Sequence, residues 1–290
     1  MNTNQEHNND LPMRPNPTAL YALSFVIALL MAAASAAGLL YRTAVYPRED
    51  LLQSFVPNDV VNLFIGMPIL LGSMWLARRG KLVGLLLWPG ALFFVLYNYL
   101  VYVLAMPLSV AFLLHLTLVT LSTYTTIGLL ASINGAAVQR RLAGAVPERA
   151  AGAILGGLGL LFFLRAMGVL IAAIPNQTPM AEPELAINIA DLMITPAWVI
   201  GGVLLWRRKE FGYATGLGLL FQASMLFIGL IIFLLLQPIL TEAPFVLADV
   251  VVTLIMGMIC FVPFALFVRG VLTGRRLLPR QLAGSGEIEE

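Results

Sequence analysis

Residues 150–174 read AAGAILGGLGLLFFLRAMGVLIAAI, 25 positions that carry a single charge, Arg165. At 1.5 Å per residue a helix of this length reaches about 37 Å, enough to cross a hydrocarbon core of roughly 30 Å. Stretches of the same kind recur on both sides of it. Apolar runs cover about 18–41, 58–77, 82–105 and 108–133 before it, and 184–206, 211–236 and 244–268 after it. The chain is 60% hydrophobic and 11% charged, whereas soluble domains carry roughly a quarter charged residues. The expected fold is therefore all-α, a polytopic transmembrane helical bundle of about eight spans whose solvent is lipid.

The basic residues fall on alternate connections. Arg78, Arg79, Lys81, Arg140, Arg141, Arg149, Arg207, Arg208, Lys209, Arg269, Arg275, Arg276 and Arg280, with Arg14 in the leading segment, belong to one side; Arg42 and Arg48 alone belong to the other. Cytoplasmic loops retain Lys and Arg, so the bias predicts an even number of spans with both termini cytoplasmic, in an integral membrane protein such as those of the bacterial cytoplasmic membrane. Residues 1–16 and 281–290 are polar and read as disordered cytoplasmic tails on a single transmembrane domain, 17–280.

A recurring pattern suggests two related halves, 18–133 and 150–268. PILLGSMWLARRG at 68–80 and PAWVIGGVLLWRRK at 196–209 each run from a proline through small residues to an arginine pair, about 128 positions apart. Four spans per half would make the repeats parallel.

Composition and motifs exclude several functions. The net charge of +2 and the scattered basic clusters argue against nucleic acid as a partner. The lone cysteine, Cys260, and the two histidines supply no disulfide framework and no metal-ligand spacing, and no cofactor is implied. The bilayer is the partner that the sequence establishes, beside an unknown small ligand; oligomeric state and substrate leave no signature.

Polar residues inside spans are costly, so they mark candidate sites. Arg165 lies near mid-span and should face the bundle interior as an anion or carboxylate contact, or as a structural pin. Asp59, Asp191 and Asp249 fall near span starts; Asp59 reads as a helix cap, while Asp191 and Asp249, a turn or more beyond Pro183 and Pro244, are candidates for pairing with Arg165 or for binding a proton or cation. Asn98 and Tyr102 lie one turn apart in the third span and His115 at similar depth in the fourth, with Tyr97 and Tyr99 readable as an interfacial belt. Pro68, Pro196 and Pro263 free a carbonyl each, and Gly152 with Gly156 forms a close-packing GxxxG.

Asn62, Asn98, Tyr102, His115, Asp191 and Asp249 share the half of the bundle away from the arginine-rich loops, whereas the other half holds little beyond Gln222 and Ser224. This distribution favours a transporter or small-ligand-binding protein with an outward-facing polar pocket, Arg165 holding the ligand's charge and Asp191 positioned to hold Arg165. Alternatives are a membrane-embedded enzyme acting on a lipid-linked substrate, with Asp191, His115 or Asp249 as acid or base, and a non-catalytic membrane scaffold.

Overall fold

A computed structural model describes residues 11–13, 17–176 and 180–273 of the chain. Arg14, Arg275, Arg276, Arg280 and most of the two expected tails lie outside the described residues. The elements in order are α1 (Thr18–Leu40), the single turn α2 (Arg42–Val45), α3 (Glu49–Val61), a π-turn (Asn62–Gly66), α4 (Met67–Arg78), α5 (Leu82–Ala105), α6 (Val110–Ser132), α7 (Gly135–Leu142), α8 (Glu148–Asn176), α9 (Glu182–Trp206), α10 (Glu210–Leu240) and α11 (Leu247–Thr273). Eight of the spans so formed are long and apolar enough to cross a membrane, α3, the π-turn and α4 making one of them, Glu49–Arg78. The protein is a multi-pass all-α membrane bundle.

Two boundaries differ from the sequence expectation in ways that matter for the site. The second span begins at Glu49, not near Asn58, because Glu49 and Asp50 place two negative charges in the first turn, where the free amides and the helix dipole favour them. Asp59 is therefore no cap; it lies ten residues inside the helix. The eighth span begins at Leu247, and Asp249 is in its first turn with its amide bonded to the Val246 carbonyl. Asp249 is exposed there, so the expectation that it lies deeper than a terminal residue is overturned. Leu11 to Met13, within the segment expected as a tail, rest on the bundle: Met13 pairs with Ile133 and the Pro12 carbonyl accepts from the Asn134 amide.

The centre of the bundle is α5, most of whose surface is buried against α4, α6, α9 and α10. It crosses α10 at Gly90 and Gly218, which approach so closely that a Cβ on either would strike the other's backbone. Helix α8 closes on α9 in the same manner where Gly152 meets Gly202, and a Cβ on Gly202 would also strike the Gly156 backbone, which fulfils the packing role expected of the GxxxG.

The turns from α4 to α5 and from α9 to α10 have the same hydrogen bonds. Lys81 N–H donates to Leu76 O at 3.0 Å and Gly80 N–H to Ala77 O at 2.9 Å; Lys209 N–H donates to Leu204 O at 2.8 Å and Arg208 N–H to Leu205 O at 2.9 Å. Each helix end is thereby closed by a left-handed residue, Gly80 (φ 71°) and Arg208 (φ 56°).

Candidate ligand cavity

A cavity of about 370 Å³ opens between α3, α5, α8, α9, α10 and α11. It reaches from Ser54 and Pro183 down to Phe94 and Trp198. Trp198 lies about 22 Å further along α9 than Pro183 at 1.5 Å per residue, so the cavity passes well into the bundle. Phe94, Phe162, Trp198, Phe227 and Met256 give it an aromatic and aliphatic body; Ser54, Asn58, Tyr97, Asn98, Arg165 and Asp191 supply its polar groups. The Trp198 indole N–H is anchored on Gln222 Oε1 at 2.5 Å, which fixes the ring against the cavity.

Arg165 Nη1 lies 3.4 Å from Asp191 Oδ2, the pairing expected from the sequence. The Asp191 side chain is 10% exposed and that of Arg165 is 50% exposed, so the carboxylate is enclosed while the guanidinium stands at the cavity wall. The Tyr97 hydroxyl donates to Asp191 Oδ1 at 2.9 Å. Asp191 is thus held from α5 and α8 at once. Its own carbonyl accepts from Thr195 Oγ1 at 2.7 Å, one residue before Pro196.

Across the cavity, Asn58 Nδ2 donates to Asn98 Oδ1 and to the Tyr102 hydroxyl, both at 3.2 Å. Behind this pair the Tyr102 hydroxyl donates to Asp59 Oδ1 at 2.9 Å, and the Tyr46 hydroxyl to Asp59 Oδ2 at 2.5 Å. Burial and then the Asp59 carboxylate push the Tyr46 phenol well above its ordinary range, so it remains a proton donor. The His115 ring packs edge-on to Tyr102 at 4.8 Å between centroids, fully enclosed, with Nδ1 lacking a partner among the described residues.

Of the six residues singled out by sequence, Arg165, Asp191 and Asn98 line the cavity, Tyr102 and His115 stand behind its wall, and Asp249 is at a helix start outside its lining. Three participants carried a different expectation. Asp59 was a cap, and Tyr97 and Tyr99 a belt; Tyr97 instead holds Asp191, and Tyr99 is wholly buried, 3.4 Å from Ser35 Oγ and 3.3 Å from the Met31 carbonyl. The acid pair Glu49-Asp50 was the signal that moves the helix start and so places Asp59 deep. Compared with known protein families, with curated proteins and with solved structures, the chain matches none.

Proposed function

We propose that the chain binds a small anionic amphiphile in this cavity and carries it across the membrane. The observation behind this reading is the cavity itself: an apolar body of drug-like volume with a half-exposed guanidinium in its wall. Ligand sites are mostly apolar with a few convergent polar groups. A guanidinium has five donors, and Asp191 takes one of them in the described structure. An oxyanion head at Arg165, with its chain against Phe94, Phe162, Trp198 and Phe227, satisfies both chemistries at once.

A transport role draws support from the correspondence between the halves. The paired turns, the crossing of Gly90 on Gly218 and the helix-entry glycines Gly84 and Gly212 all stand 128 positions apart. Upstream of the prolines the best match shifts by one residue: DVVNLFI at 59–65 against NIADLMI at 188–194. The π-turn Asn62–Gly66 lies where that extra residue falls, and π-turns are what a one-residue insertion leaves in a helix. On this alignment Ser54 pairs with Pro183, Asn58 with Ile187, Asn98 with Leu226 and Val101 with Gly229, and every one of them lines the cavity. A site on the axis between two parallel repeats is where rocking of one half on the other exposes a ligand alternately. Catalysis is favoured less, because Asp191 is engaged by Tyr97 and Arg165 while His115 stands outside the cavity.

The test uses a medium-chain bromoalkyl sulfonate, which keeps its charge at all working pH and crosses bilayers poorly. Its bromine should quench Trp198 fluorescence saturably in the wild type, and not in Trp198→Phe. Arg165→Ala should lose saturable quenching and protein-dependent uptake into proteoliposomes, with Arg165→Lys intermediate. Equal quenching in Arg165→Ala and wild type would overturn the assignment of the anion contact.

A further inference from the structure

Asp59 is the carboxylate that the cavity does not use, and among the described residues no cation pairs with it. It is 1% exposed within a 30-residue span. Both of its oxygens accept from phenols, and Gly38 of α1 is pressed so close that a Cβ there would run into Asp59 Oδ2 and the Tyr46 hydroxyl. The titratable groups facing it are Tyr46 from the connection before α3 and Tyr99 and Tyr102 from α5, with His115 of α6 edge-on behind Tyr102. Helix α1 presents Ser35. The two cations at this end are engaged elsewhere, Arg42 by the carbonyls of Leu39 and Leu240 and Arg48 by Asp50 and Glu182. On α9, Asp191 is engaged by Tyr97 and Arg165, and α10 contributes no charged group to this half of its length.

A full charge held by neutral hydroxyls away from water is expensive, and the usual relief is neutralisation. The alignment of the halves sharpens the point. Asp59 and Asn62 correspond to Asn188 and Asp191, the same two residue types one turn apart with their order exchanged. The second half sets Arg165 beside its carboxylate; the first half sets two tyrosines.

The Tyr102 hydroxyl also joins Asp59 to the cavity. It has one proton, donated to Asp59 Oδ1, and it accepts from Asn58 Nδ2, with the Phe55 carbonyl at 3.4 Å as its other possible acceptor. When Asp59 carries a proton it can donate that proton to the Tyr102 oxygen; Tyr102 then donates to Phe55 O, and Asn58, displaced from the Tyr102 oxygen, keeps its bond to Asn98 Oδ1 and has an amide N–H to offer a ligand. We infer that Asp59 is a proton-binding site, and that Tyr102 and Asn58 couple its occupancy to the ligand cavity. The coupling rests on the reading of the cavity as a ligand site; the proton site does not.

The test begins with infrared difference spectra against pH on the full chain in lipid nanodiscs. A protonated-carboxyl band should titrate in the wild type, persist in Asp191→Asn and vanish in Asp59→Asn; Tyr102→Phe should keep the band and move its midpoint. Sulfonate affinity in the wild type should then vary with pH, by up to about tenfold per pH unit for one exchanged proton, and be flat in Asp59→Asn. A band that survives in Asp59→Asn, or its absence from the wild type, overturns the proton site. A wild-type affinity that ignores pH overturns the coupling. If the sulfonate binds to no variant, the cavity reading fails with the coupling, while the infrared band still decides Asp59.

Discussion

Asp59 on α3 and Asp191 on α9 both lie well inside helices that start at the same end of the bundle, and each accepts a hydrogen bond from a tyrosine of α5. Around Asp59 the walls are closed: two phenols, a glycine of α1 in contact, and no cation within ion-pair distance among the described residues. Asp191 instead has a guanidinium at 3.4 Å and a cavity beside it. Hydroxyls fix the position of a carboxylate but leave its charge to be settled by a proton; a cation settles the charge and keeps donors to spare. One helix serves both, because Tyr97 and Tyr102, five residues apart at about 100° each, leave α5 on different sides and so reach different neighbours.

The largest expected effect tests how closed the Asp59 side is. Gly38→Ala drives a methyl into Asp59 Oδ2 and Tyr46, and overpacking of this kind costs about 1–3 kcal/mol. Gly168 on α8 has nothing within 4 Å of where its Cβ would stand, so Gly168→Ala should be neutral or gain up to about 1 kcal/mol from helix propensity. Cys260 is the single cysteine and is buried, so a thiol-reactive fluorophore reads thermal unfolding of both variants in detergent. If Gly38→Ala melts with the wild type, the pocket around Asp59 is looser than described.

On the open side, Arg165→Ala should cost less than the 3–5 kcal/mol typical of breaking a fully buried pair, because half of the guanidinium is exposed. A double-mutant cycle with Asp191→Asn should return a coupling of about 1 kcal/mol, with Arg165→Ala worse than Arg165→Ala combined with Asp191→Asn. Strictly additive losses would mean that Tyr97 alone holds Asp191.

How much of this the sequence disclosed follows from what lipid does to patterns. The number of spans, and the pairing of Arg165 with Asp191, come from hydropathy and from the cost of a lone charge at mid-span. The rotational setting of each helix does not, since a lipid-facing side is as apolar as a buried one and leaves no 3.6-residue contrast. Tyr97 and Tyr99 show the consequence: adjacent in sequence to Asn98, they look like a belt, and only the packing of α5 at the centre turns them inward. Asp59 was lost for another reason. Asn58 and Asp59 are good capping residues after a proline, and that local signal outweighed the acidic pair nine residues earlier, although the helix runs through Pro57.

The smallest effect concerns the turns from α4 to α5 and from α9 to α10, which agree in backbone and differ in side chain. Gly80 and Arg208 occupy the same left-handed position, at φ 71° and 56°, under the same pair of hydrogen bonds. A side chain in that region costs about 1–2 kcal/mol, so Gly80→Ala should destabilise by about 1 kcal/mol. Arg208→Gly removes that strain but returns freedom to the unfolded chain, worth about 0.4–1 kcal/mol in the opposite sense. It also removes a guanidinium 4.0 Å from Glu148, a contact that is 55% exposed on the arginine side and therefore weak. The bond from Gln139 Nε2 goes to the Arg208 carbonyl and survives the substitution. Arg208→Gly should accordingly change stability by less than about 1 kcal/mol, with the melting of the Cys260-reported transition as the readout. A loss larger than that of Gly80→Ala would show that the Arg208 side chain, through Glu148, does more for its turn than a glycine does, and that the two turns are alike in hydrogen bonding without being alike in energy.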